Sequence, residues 1–162
     1  MKKFCLPGAA CLMILFLFAC SSSRETTAKN SIVIKNLVDS QRYVFNAQSV
    51  QPIGARNRQL TSGFHCTVTP DTISCYLPYF GRAYSANIDP SGGAINFTST
   101  DFDYKIKDNN TGRWDVAIHP RDAPGYQEVT LVIFNNGSAT VKVVSNNRQT
   151  ISFNGFIDRK IF

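Results

Sequence analysis

From Tyr43 onward the apolar residues fall in short alternating runs, and each run is closed by Gly, Pro, Asn or Asp. Alternation puts successive side chains on opposite faces of a strand, while those closing residues turn a chain back on itself, so the pattern predicts antiparallel hairpins. No alternation of helix and strand follows Ser40. The expected fold is therefore all-β, an up-and-down antiparallel meander of roughly seven to nine strands curled into a sheet or half-open barrel. A two-sheet sandwich is the alternative. Ahead of it, Val33, Ile34, Leu37 and Val38 recur at helical spacing behind a capping Asn30 or Ser31, which reads as one short N-terminal helix; an opening strand over 31–40 is the competing reading, given the β-branched content.

Four hairpins have registers that facing residues suggest. Pairing Lys107 with Arg113 across the turn Asp108–Gly112 sets Ile106 against Trp114, Tyr104 against Val116, Phe102 against Ile118 and Lys105 against Asp115. Asn136-Gly137 reads as a two-residue type I′ turn, since both residues tolerate positive φ; it pairs Phe134 with Ala139 and Val132 with Val141. A turn through 145–149 sets Val143 beside Ile151 and Val141 beside Phe153. The turn at Thr69-Pro70-Asp71-Thr72 places Cys66 directly opposite Cys75, within the Cα separation a disulfide requires.

The first residues have a different logic. Lys2 and Lys3 precede an apolar run from Ala9 to Phe18, then small Ala19, Cys20 and a polar Ser21-Ser22-Ser23. A run this short does not span a bilayer but suits a secretory signal. Leu17-Phe18-Ala19-Cys20 resembles the lipobox of bacterial lipoproteins, in which the cysteine thiol takes diacylglycerol and becomes the mature N-terminus. The expected layout is a signal peptide over 1–19, a lipidated Cys20 with a flexible tether over 20–30, and one β-rich domain over 31–162. The membrane is then a partner through the lipid anchor, with the domain on the periplasmic side of a Gram-negative outer membrane.

Charge and cysteines narrow the function further. Seventeen Lys and Arg oppose eleven Asp and Glu, and loss of Lys2 and Lys3 cuts the excess from six to four. The basic residues are scattered, without the stripe that nucleic acid demands. Of five cysteines, Cys5 and Cys11 leave with the signal and Cys20 is consumed by lipid, so Cys66 and Cys75 remain. Two distant histidines, His65 and His119, supply no metal-ligand spacing, so neither metal nor cofactor is expected.

The string Tyr76-Leu77-Pro78-Tyr79-Phe80-Gly81-Arg82-Ala83-Tyr84-Ser85-Ala86, with Asp89-Pro90-Ser91-Gly92-Gly93 and Phe97-Thr98-Ser99, resembles the bacterial family known as domain of unknown function 4251. The resemblance continues through Arg58-Gln59-Leu60-Thr61-Ser62, Gly112-Arg113-Trp114-Asp115, Asn136-Gly137-Ser138-Ala139 and Asn146-Asn147-Arg148-Gln149 to Ile151-Ser152-Phe153-Asn154-Gly155. It implies an exported lipoprotein of a Gram-negative anaerobe and carries no activity onto any residue. Cys66 and Cys75 lie outside the family pattern.

No residue set assembles a nucleophile, a base and an orienting group. Asp101 and Asp103 share a strand face with Lys105 and Lys107, the look of a solvated face, and His119 is expected beside Asp101. Gly92-Gly93 behind Asp89-Pro90 reads as a turn. The unusual stretch is Tyr79, Phe80, Arg82 and Tyr84, which combines stacking surface with a charge-assisted donor, the make-up of a site for a sugar or an amphiphilic acid. Packing of the rings as a plug is the plainer account. A non-catalytic module binding an apolar, amphiphilic or glycan ligand is the first functional reading, contact with another envelope protein or a structural accessory role the second, and a hydrolase the third. Thr72 in Asp71-Thr72-Ile73 also resembles a short O-glycosylation sequon.

Overall fold

The computed structural model describes residues 23–82, 84 and 93–159. The signal, Cys20 and the expected Asp89–Gly92 turn lie outside them. Among the described residues one helix, α1 (Ser23–Asp39), precedes ten strands: β1 (Tyr43–Pro52), β2 (Arg58–Gln59), β3 (His65–Val68), β4 (Ile73–Leu77), β5 (Ile95–Ser99), β6 (Phe102–Asp108), β7 (Arg113–Pro120), β8 (Tyr126–Phe134), β9 (Ser138–Ser145) and β10 (Ile151–Asp158). They form one antiparallel sheet in the order β5-β4-β3-β1-β10-β9-β8-β7-β6, with β2 added beside β1.

The order shows how the sheet curls into a nearly closed barrel. The first long strand pairs with the last, Val44 opposite Asp158 and Pro52 opposite Ile151. Antiparallel steps counted both ways from β1 make β5 and β6 run in the same direction, and two residues separate them. The pair thus acts as one bent strand whose first half joins β4 and whose second half joins β7. The meander is nearly a ring, and its two ends meet at the bend of Thr100-Asp101. Across the concave side Phe97 of β5 stacks on Tyr126 of β8, ring centroids 4.4 Å apart.

The bend is held by one carboxylate. Asp122 Oδ2 accepts the Thr100 amide at 2.9 Å, the Thr100 hydroxyl at 3.1 Å and the Asp101 amide at 3.3 Å. The Ser99 hydroxyl, whose proton also reaches the Asp101 carbonyl at 3.1 Å, joins them. These donors, Ser99 foremost, hold the Asp122 carboxyl down to about 2. Arg121 completes the corner, donating its amide to the Asp101 carbonyl at 2.8 Å and its guanidinium to Asp101 and Asp103 at 3.2 and 2.6 Å.

Inward-facing residues of β1, β3–β5 and β7–β10 form the core, including Tyr43, Phe45, Ile73, Leu77, Ile95, Ile118, Leu131, Ile133, Ile151 and Phe153, all fully buried, while Phe102 and Tyr104 of β6 pack against it half-buried. Burial of side chains this size stabilises by about 1.5–3 kcal/mol each before chain entropy is charged against it. The Cys66 and Cys75 sulfurs are bonded within this layer, their Cα atoms 4.1 Å apart and the residues directly opposed, with Val68 opposite Ile73 at the turn. Gly155 permits the closest approach of β10 to β1, because a Cβ there would strike the Asn46 carbonyl.

Several expectations are corrected. α1 begins at Ser23, so residues 23–30, read as tether, are helical, and Asn30 and Ser31 lie inside the helix instead of capping it. The stretch contains no Gly or Pro to interrupt it. The helix ends in a Schellman motif: Gln41 takes φ of 53°, its amide bonds the Val38 carbonyl, and the Arg42 amide bonds the Leu37 carbonyl. Ile34, Leu37 and Val38 are buried, whereas Val33 faces outward. A relay of hydroxyls ties α1 to the barrel, from Tyr43 to Tyr104 at 3.1 Å and from Tyr104 to the Val38 carbonyl at 3.3 Å. Burial pushes the Tyr104 phenol up to about 12 and raises the Tyr43 phenol well above its ordinary value.

Two hairpins are displaced from their expected registers. In β6–β7, Ile106 faces Val116, Tyr104 faces Ile118 and Lys107 faces Asp115, a slip of two that keeps the buried face. Asp108 joins the strand, so the loop is 109–112, with Asn110 and Gly112 both at positive φ and Asp108 accepting the Asn110 amide. In β8–β9, Ile133 faces Ala139 and Leu131 faces Val141, a slip of one that reverses the buried face. Gly137 alone of the turn pair has positive φ, 87°, and its amide bonds the Phe134 carbonyl, so a three-residue loop with a glycine bulge replaces the type I′ turn. The β9–β10 register is as expected, Val143 opposite Ile151 and Val141 opposite Phe153.

Because the Asp122 carboxyl sits below its ordinary 3.8 in the fold, its ionised form stabilises the domain above about pH 4, and that gain is lost as pH falls towards 2. Asp122→Asn should therefore lower the thermal midpoint at neutral pH, with the gap from wild type closing between about pH 4 and pH 2. A gap that stays constant over that range would show that the corner does not depend on this charge.

Candidate functional site

The chain leaves β4 at Leu77 and crosses the rim of the barrel with Tyr79, Phe80, Gly81 and Arg82. It is fastened there to the β9–β10 turn: the Gln149 amide donates to the Arg82 carbonyl at 3.0 Å and the Tyr84 amide to the Asn147 carbonyl at 2.8 Å. Tyr79 belongs to this fastening. Its hydroxyl proton lies between the carbonyls of Arg82 at 2.8 Å and Gln149 at 3.0 Å, and the Arg148 guanidinium covers its ring at 5.1 Å. Partial burial raises the Tyr79 phenol above its ordinary value, against the opposing pull of those partners. Gly81 is required beneath it, since a Cβ at that position would collide with the Tyr79 ring. Arg148 in turn donates to the carbonyls of Gly93 at 3.0 Å and Ala94 at 3.2 Å, which ties the entry of β5 to the same rim.

The remaining three side chains face outward. Phe80 is 42% exposed and Tyr84 71% exposed, and Arg82 is also exposed. Phe80, Gly81 and Arg82 form one wall of a cleft of about 410 Å³, with Pro52, Ile53, Gly54, Ala55 and Gln149 forming the rest. Arg58 from β2 lies over the Phe80 ring at 5.0 Å. Among the described residues the guanidinium groups of Arg58 and Arg82 have no carboxylate partner and no acidic side chain lines the cleft. The structure thus separates the four expected residues: Tyr79 is structural, Phe80 and Arg82 line the cleft, and Tyr84 stands outside its lining.

Ile53, Arg58 and Gln149 were not expected at this place. Each reaches it through a long-range contact, β1 and β2 on one side and the β9–β10 turn on the other, which local spacing does not reveal. Arg56 and Arg58 were visible as a basic pair but had nothing in sequence to connect them with Phe80.

Elsewhere the chemistry is as bland as a surface allows. His119 stands opposite Asp103, and its Nε2 approaches Glu128 at 3.9 Å, so the expected contact with Asp101 is replaced by the Arg121 pairing. Asp115 faces Lys107 and binds Arg113 Nε at 2.8 Å in place of Lys105. Thr72 is half-buried at the β3–β4 turn, where its carbonyl accepts the Thr69 amide and hydroxyl. Among the described residues no group of His, Cys, Asp and Glu is placed to hold a metal ion, and no helix is long and apolar enough to cross a membrane.

The sequence profile of Domain of unknown function (DUF4251) matches residues 25–157, nearly the whole described chain. The chain belongs to this family. A crystal structure of a DUF4251 family protein from Bacteroides eggerthii superposes with a TM-score of 0.56 at 16% identity, over 82% of this chain and 87% of that one. At that identity the likeness is one of fold. No curated protein matches the chain.

If Tyr79 fastens the rim and Arg82 serves only the cleft, their variants must differ. Tyr79→Phe should cost about 1 kcal/mol of unfolding free energy, the size of one lost hydrogen bond, while Arg82→Ala stays within about 0.5 kcal/mol of wild type. Denaturant unfolding of both variants checks this, and equal stabilities would reject the division of roles.

Proposed function

We propose that this DUF4251 domain is a non-catalytic binding module of the cell envelope, held on the outer membrane through a diacylated Cys20, and that it takes an acidic ligand with an apolar or sugar body. The cleft at Phe80 and Arg82 carries the reading. An exposed ring offers a face for stacking, while the Arg82 guanidinium in the cleft wall and the Arg58 guanidinium over Phe80, neither with a carboxylate partner among the described residues, offer charge-assisted hydrogen bonds to an anion. The cleft volume falls in the roughly 300–1,000 Å³ range of small-molecule sites. The lipobox resemblance and the short apolar run before it support the anchor.

The perturbed ionisable groups described above all have structural work. Tyr43 and Tyr104 join α1 to the barrel, and Asp122 holds the bend. A binding role asks nothing further of them. Docking of another envelope protein is the second reading, favoured by Ile53 at 60% exposed beside Phe80 in the cleft.

Titration of the full-length protein in detergent with octanoate and tri-galacturonate, against octanol and trigalactose, tests the ligand. The acids should bind at least tenfold more tightly than their neutral counterparts, and Arg82→Ala or Phe80→Ala should remove the preference with little change in thermal midpoint. Equal affinity for acid and neutral probes, or none, would move the cleft to the protein-docking reading. The anchor has its own measurement: mass spectrometry of the membrane-extracted protein should find an N-terminal peptide beginning at an acylated Cys20. An unmodified Cys20, or a retained Met1–Ala19, would overturn that part.

A further inference from the structure

A second groove, of about 460 Å³, opens where β1 bulges. The β1–β10 register shifts between Ala47 and Ser49, and the chain after β2 arches back over the gap, the Leu60 amide bonding the Gln48 carbonyl at 2.8 Å and the Ala47 amide bonding the Phe64 carbonyl at 2.9 Å. Those two bonds pin both walls. Between them lie the amide side chains of Asn46, Gln48 and Gln59, the hydroxyls of Thr61 and Ser62, and the rings of Phe64 and Phe156.

Three properties of this lining act together. Among the described residues it contains no ionisable side chain. Its five polar side chains make no hydrogen bond to protein among the described residues, so their capacity as donors and acceptors is unspent. Its aromatic wall is fixed: Phe64 is half-buried and stacks on Tyr76 at 5.6 Å between centroids, while Phe156 stands 39% exposed. Amides and hydroxyls donate and accept, which matches a ring of vicinal hydroxyl groups, and exposed rings match the apolar C–H face of a pyranose. An ion entering the groove would find no counter-charge in its lining.

We infer that this groove is a binding site for an uncharged sugar, distinct in chemistry from the cationic cleft at Phe80 and Arg82. The two are separated by β2, whose adjacent residues serve one each: Arg58 covers Phe80, and Gln59 lines the groove. The inference does not rest on the cleft, because none of the groove's residues lines it.

Saturation-transfer NMR on the full-length protein in a non-glycosidic detergent tests it, with maltotriose, cellotriose, mannotriose and laminaritriose as neutral probes at about 10 mM, where millimolar binding registers. At least one trisaccharide should receive saturation, strongest on ring C–H protons. Phe156→Ala and Gln59→Ala, both at accessible positions, should each weaken that binding about tenfold with the thermal midpoint unchanged, whereas Arg82→Ala should leave it intact. No transfer to any of the four sugars overturns the inference, as does binding that survives both groove variants or is lost in Arg82→Ala.

Discussion

One carboxylate ties the corner at which this sheet turns back on itself. Asp122 gathers the hydroxyl and amide groups at the point where β5 bends into β6, and Arg121 fastens the far side of the same bend through Asp101 and Asp103. Each half pairs on one side only, β5 with β4 and β6 with β7, so the bend is where one edge of the sheet becomes the other. Backbone donors at such a corner have no strand partner, and the acid at position 122 accepts two of them at once, adding the strength of a charged acceptor. Everything described on the rim, including the fastening of Tyr79 to the β9–β10 turn, presupposes a closed ring.

The fold class was legible because its determinants are local. Alternation, turn residues and the absence of helical periods after Ser40 are properties of short windows, and they led to an antiparallel meander with a helix in front. The register of β9 against β10 and the opposition of Cys66 and Cys75 were legible for the same reason, since in each case the buried residues left one consistent pairing. The β8–β9 hairpin was not. Leu131-Val132-Ile133-Phe134 is apolar on both faces, so a slip of one residue loses nothing in sequence, and only the φ of Asn136 distinguishes a two-residue loop from a three-residue loop with its bulge. The helix start was misplaced because polar small residues read as tether unless something beyond the window orders them.

The candidate site was half legible. An aromatic cluster with one arginine announced itself, but which ring packs and which stands open depends on carbonyls seventy residues away in the β9–β10 turn. Sequence spacing has no access to that. The groove at the β1 bulge was invisible for a deeper reason: its residues are ordinary amides and hydroxyls, which acquire meaning only when two backbone bonds hold a loop off the strand and leave the side chains without partners. Cationic cleft and neutral groove are thus read from the same kind of evidence, polar groups that the protein itself does not use.

The pairing of the first long strand with the last has a consequence for how the chain reaches this state. Val44 and Asp158 are neighbours in space but nearly the full domain apart along the chain, so the ring closes late and by a contact of very high sequence separation. A ribosome still holding residues 151–158 leaves β1 without the strand that covers one of its edges, so the ring cannot close until that final strand is free.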